Sequence, residues 1–169
     1  MPESEFLEVK SSAYDLKNVD EARWKLELAQ DVAQFANAPC GGLLLIGYRT
    51  KNVDGIDIIQ SITAVQHKAT RLQVYGDVLK SRIHPPIAGL EIGYIPVDKT
   101  EIIYFYVPIQ PEENKPYIIS GAIIEDCYCS TGISIMRRQG DKSIPITAQE
   151  IHAALVIGRA LIQGRGGGK

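Results

Sequence analysis

The chain lacks most of the features by which a sequence declares its chemistry. It has three cysteines, an odd number that makes no disulfide framework. Cys127 and Cys129 form a lone C-x-C with no second pair to complete a zinc site. Cys40 stands apart beside a glycine turn, so all three read as free thiols, buried or half-buried, and no metal site is expected from them. The three histidines, His67, His84 and His152, share no ligand spacing. His84 precedes two prolines and reads as a turn residue, and no serine–histidine or cysteine–histidine constellation can be assembled. No apolar run reaches the length of a membrane helix, and the acidic N-terminus has no apolar signal region. The expectation is a cytoplasmic protein with no membrane partner. Charge of one sign is missing too: 18 basic residues stand against 20 acidic ones, for a net charge of −2. Nucleic-acid binding therefore needs a local patch rather than a global basic field.

What remains is ordinary globular material. The 169 residues are 45% hydrophobic and 22% charged, enough for one domain with a real core. Residues 6–12 read as a strand entering a polar loop. Asn18 with Glu21 has the form of a capping box. A helix over residues 20–38 follows, with Ala22, Leu26, Ala29, Val32, Ala33 and Ala36 on one stripe, widened by Trp24, Leu28 and Phe35. Residues 43–48 lack alternation and suit a central strand covered on both faces, and residues 50–55 look turn-like. A second helix is expected over residues 64–82, with Val65, Ala69, Leu72, Tyr75 and Leu79 in line before Pro85-Pro86 stops it. Residues 90–97 and 101–107 flank Asp98-Lys99-Thr100 as a β-hairpin. Two or three short strands fill residues 117–138. Thr147 and Glu150 form a capping box for a last helix to about residue 161.

Helices combined with antiparallel strands favour an α+β fold, with a mixed, mainly antiparallel sheet and about three helices. Gly41-Gly42 invites a phosphate-loop reading, but it follows a helix and precedes a strand. A phosphate loop runs from strand to helix, so that helix N-terminal amides meet the anion. That function is excluded.

Several segments carry a family resemblance. They are Glu8-Val9-Lys10-Ser11-Ser12, the run from Phe35 through Pro39-Cys40-Gly41-Gly42 to Gly47, and Ile83-His84-Pro85-Pro86-Ile87. Ile103-Tyr104-Phe105-Tyr106-Val107-Pro108, Lys115-Pro116-Tyr117 and Met136-Arg137-Arg138-Gln139-Gly140-Asp141 complete the set. In order and spacing the chain resembles the Schlafen AlbA-like domain, a family associated with DNA binding. The resemblance implies an α+β nucleic-acid-binding domain over residues 1–162, followed by a flexible glycine-rich tail over residues 163–169. It also implies that such domains sometimes have ribonuclease activity and often begin a longer protein. A regulatory role, as in transcription, and a homo-oligomer or a further C-terminal domain are in keeping with it.

Ribonuclease-active members of that family use two glutamates five residues apart and a third acid after the glycine-led strand. Glu3 and Glu8 match the pair and are the candidate catalytic residues, with Mg²⁺ or Mn²⁺ as cofactor only under this reading. The third position departs: Tyr48-Arg49-Thr50 stands there, and Asp54 lies further along. Glu8 and Lys10, at i and i+2, share one strand face and read equally as a surface ion pair or as a phosphate contact. The candidate nucleic-acid contacts are Lys10, Arg49, Lys51, Arg137, Arg138 and Lys142, acting on phosphates without reading bases. Tyr104 and Tyr106 alternate with Ile102 and fit either cross-strand packing or a base-stacking platform. An assembly domain using exposed strands is the remaining alternative.

Overall fold

A five-stranded sheet and the helix packed across it set the frame for everything else. The structure, a computed structural model, describes residues 4–14, 16, 20–53, 56–66 and 70–166. Strand β1 (Leu7–Lys10) leads through helix α1 (Glu21–Ala36) to β2 (Gly42–Ile46), and the two strands pair in parallel, Leu7 opposite Leu43 and Lys10 opposite Ile46. β2 pairs antiparallel with β8 (Thr100–Val107), which also takes β7 (Glu91–Val97) and the short β5 (Val65–Gln66). Between these lie the hairpin β3 (Tyr48–Val53) and β4 (Ile56–Ile62), helix α2 (Thr70–Arg82) and β6 (Ile83–His84). The C-terminal part adds β9 (Ile118–Ile124), β10 (Cys127–Ser134), the ribbon β11 (Met136–Gln139) and β12 (Lys142–Pro145), and helix α3 (Ala148–Gly166). The class is α+β, mixed and mainly antiparallel, with three helices among the described residues.

The hand-over from α1 to β2 needs its glycines. Gly41 has φ +68°, and a Cβ there would lie 2.2 Å from the Val107 carbonyl oxygen. A Cβ on Gly42 would enter the Phe35 ring. Backbone and ring thus approach more closely than any side chain allows. The Lys115-Pro116-Tyr117 segment finishes the same corner. Asn37 donates from Nδ2 to the carbonyls of Tyr117 and Met136 and accepts from the Tyr117 amide, while Lys115 donates to the Ala38 carbonyl at 3.0 Å. The last turn of α1 is closed locally, by the Asn37 and Ala38 amides on the Ala33 and Phe35 carbonyls, and the chain just after it is tied to distant segments.

Strand alternation sorts the sheet into two faces. Leu44, Ile46, Ile103, Phe105 and Val107 point at α1 and are fully buried with Leu26, Val32 and Phe35. Tyr104 and Tyr106 lie on the opposite face, with Tyr104 over Gly93 and Tyr106 45% exposed.

The structure corrects the sequence reading in several places. α2 begins at Thr70, and Val65 belongs to β5, where it pairs with Glu101. The segment expected as a turn after residue 50 is the β3–β4 hairpin, with a register shift between Arg49 and Thr50. β12 pairs with β11 where no strand was expected. Asp20, not Asn18, takes the N-cap position of α1, without a side-chain cap bond; Asn18 lies outside the described residues. Thr147 and Glu150 do form the reciprocal box, Thr147 N–H to Glu150 Oε2 at 2.8 Å and Glu150 N–H to Thr147 Oγ1 at 3.3 Å. α3 runs on to Gly166, into the stretch expected as tail. Cys40 and Cys127 are exposed and Cys129 half-buried, all as free thiols. Among the described residues no helix is long and apolar enough to cross a membrane.

Candidate nucleic-acid interface

β1 carries its charges inward. In the parallel pairing, Glu8 and Lys10 stand opposite Leu44 and Ile46, so they share the sheet face that α1 covers. At this edge of the core α1 presents Asp31 and Gln34 instead of aliphatic side chains. Lys10 Nζ lies 2.8 Å from Asp31 Oδ2 and 3.4 Å from Glu8 Oε1. Gln34 Nε2 donates to Glu8 Oε2, and the Tyr14 hydroxyl donates to Asp31 Oδ2 at 2.5 Å.

Arg138 closes this network from β11. Its Nη1 lies 2.7 Å from Glu8 Oε2 and 3.3 Å from Gln34 Oε1, Nη2 donates to the Leu7 carbonyl at 3.0 Å, and Nε donates to the Ser4 carbonyl at 3.1 Å. The guanidinium sits 5.1 Å from the centre of the Phe35 ring, where the ring face attracts a cation. Only 6% of Arg138 is exposed. This corrects the expectation of a surface phosphate contact: every edge of the fork is spent internally, on a carboxylate, an amide and two carbonyls.

Burial and neighbouring charges shift Asp31, Lys10 and Tyr14. Burial raises the Asp31 carboxyl most, the neighbouring Glu8 charge adds to this, and Lys10 and Tyr14 oppose it; its pKa stands at about 6 against the usual 3.8. Burial alone lowers Lys10, but the charges of Asp31 and Glu8 outweigh it and hold the ammonium above its usual range. Burial and the Asp31 charge push the Tyr14 phenol well up.

A divalent cation does not fit the described residues here. Both Glu8 oxygens already face donors or cations, from Arg138 and Gln34 on one side and Lys10 on the other. Among the described residues no three His, Cys, Asp or Glu side chains gather as a metal site. Glu3, the other candidate catalytic residue, and Asp54 lie outside the described residues.

Above the network the surface opens into a cleft of about 310 Å³, lined by Lys10, Ser11, Ser12, Trp24, Glu27 and Arg49, with Val9, Tyr14 and Thr50. The structure thus brings Lys10 and Arg49 together. Arg49 is exposed and meets no carboxylate within salt-bridge reach among the described residues. Lys51 follows two positions later on β3 and is exposed as well. Arg137 and Lys142 are elsewhere. Gln139 pairs with Lys142, so Lys142, Gln139 and Arg137 occupy the outer face of the β11–β12 ribbon, the face opposite Arg138. There Arg137 lies 2.9 Å from Glu150 of α3. Sequence reasoning missed Asp31, Gln34 and Trp24 as site residues. A signal existed for the first two: an acid and an amide three apart beside the apolar stripe of the helix, after a strand carrying Glu-x-Lys.

The chain is similar to two solved structures. The DIP2311 protein from Corynebacterium diphtheriae matches 84% of this chain at 17% identity and a TM-score of 0.48, and the chain spans 22% of that protein's length. The N-terminal domain of a RecG-related protein from Nitrosomonas europaea, named after the ATP-dependent DNA helicase, matches 65% of this chain and 67% of its own at 21% identity and a TM-score of 0.46. No curated protein matches the sequence. The family model described as Schlafen, AlbA_2 matches residues 3–147, which takes in the Glu8–Arg138 network, the Lys10–Arg49 cleft and the β11–β12 ribbon, and the chain belongs to that family.

Proposed function

We propose that this domain binds nucleic acid by its phosphates at the Lys10–Arg49 cleft, with Lys51 extending the contact along β3. The observation that carries this reading is Arg49, an exposed guanidinium at a polar cleft beside Lys10. A planar fork that meets no carboxylate among the described residues suits a phosphate. Membership in the Schlafen, AlbA_2 family supports a nucleic-acid-related role. Arg137 and Lys142 form a second basic strip, and Arg137 exchanges Glu150 for a phosphate when it takes part. Arg138 and Glu8 are the scaffold beneath: they hold β1 in place, and Lys10 with it.

Contacts of this kind position a strand without reading its sequence, and their strength follows counterion release. With about three to five phosphates neutralised, raising salt from 50 to 200 mM lowers affinity on the order of tens- to several-hundred-fold. Arg49→Ala flattens the salt dependence by about one contact, and addition of EDTA leaves affinity unchanged. Fluorescence anisotropy of a labelled oligonucleotide across a salt series measures all three. Absence of binding at 50 mM salt would end this reading.

A further inference from the structure

We propose that the same cleft takes one unpaired nucleotide, its base against the Trp24 ring and its phosphate at Arg49, so that the domain prefers single strands. This rests on the phosphate-binding reading above and deepens it. Not all the cleft's polar groups are open to a ligand. Lys10 is committed to Asp31 and Glu8, and Glu27 accepts from Arg23 Nε at 3.3 Å. What remains is Arg49, the exposed Ser11 and Ser12, and Trp24. Trp24 packs partly against the core and turns part of its surface to the cleft. A guanidinium, two hydroxyls and one indole around about 310 Å³ match the chemistry of a nucleotide: an anion, a sugar edge and a flat base. That volume is at the small end of ligand sites, the scale of one nucleotide rather than a base pair. Bases within a duplex keep their faces against one another, whereas an unpaired base offers its face to an aromatic ring.

The indole reports its own occupancy, because Trp24 is the single tryptophan of the chain. A mixed-sequence oligonucleotide is titrated at low salt as a single strand and as its duplex, with tryptophan emission and the anisotropy of an end label read together. The expected result is quenching by the single strand alone and about ten-fold or greater preference for it, the scale of one base–aromatic stack. Trp24→Leu, with its fold checked by circular dichroism, removes most of that preference and leaves the salt dependence of duplex binding unchanged. Binding of both forms without quenching, equal quenching by both, or a preference that survives Trp24→Leu overturns the nucleotide site while leaving phosphate binding intact. Failure of both forms to bind overturns the phosphate reading along with it.

Discussion

Arg137 and Arg138 are neighbours in sequence and opposites in the fold. Arg138 faces inward from β11, sits over the Phe35 ring and bonds Glu8, Gln34 and the carbonyls of Ser4 and Leu7. Arg137 faces outward, half exposed, and meets one half-exposed carboxylate, Glu150. The ion-pair distances are almost equal, 2.7 and 2.9 Å, so distance does not separate the two. Surroundings do. Water competes for the outer pair and screens it, whereas removing Arg138 takes one bond from each of a carboxylate and two carbonyls at the covered edge of the core. A basic residue in the β11–β12 ribbon is therefore no guide to a binding surface until its strand face is known.

The comparison can be broken at its strong end first. Arg138→Ala should cost about 3–5 kcal/mol, the cost of breaking an ion pair whose guanidinium is fully buried, read by urea denaturation. A loss under about 1 kcal/mol would show that the network is solvated and the two arginines equivalent. An intermediate effect is expected at Asp31. Its folded pKa of about 6 lies above the usual 3.8, so between those values the folded state holds a proton that the unfolded state lacks. Asp31 therefore contributes its full stability below about pH 4, and that contribution falls away as pH rises through about 6, by about 1–3 kcal/mol in all. Asp31→Asn should remove this falling limb from a stability profile measured between pH 4 and 7; an unchanged profile would place the titration elsewhere. The smallest effect belongs to Arg137→Ala, about 0–1 kcal/mol in the same denaturation assay. A larger loss would mean that the α3 root depends on this pair.

Much of the frame was legible because its signals are local. The α1 stripe, the stop at Gly41-Gly42, the β7–β8 hairpin around Asp98 and the Thr147–Glu150 box each rest on residues a few positions apart. The misreadings have equally physical causes. Val65 falls in phase with the apolar stripe of α2, so periodicity absorbed a residue that pairs instead with Glu101. β3 is Tyr-Arg-Thr-Lys-Asn-Val, polar enough to pass for a turn, and its partner rather than its composition makes it a strand. The pairing of Glu8 with Lys10 was readable from i and i+2 spacing, but the face they share was not. That depends on the parallel register with β2, on Asp31 and Gln34 of α1, and on an arginine 130 residues further along. An exposed edge and the covered edge of a core look alike until those partners are assembled.

The Arg138 fork also imposes an order on events in the making of the chain. Synthesis delivers β1, α1 and β2 early, and their apolar faces can begin to collapse at once. The Ser4 and Leu7 carbonyls already accept each other's amides, and Glu8 already has Lys10 and Gln34, yet all three also take a bond from one guanidinium that the ribosome adds only near the end of the family-matched segment. A nascent chain halted before residue 138 has its first strand paired with β2 but lacks this clamp on the strand's N-terminal end. The domain is thus built to finish its first strand late, with its N-terminal edge locking only when β11 arrives.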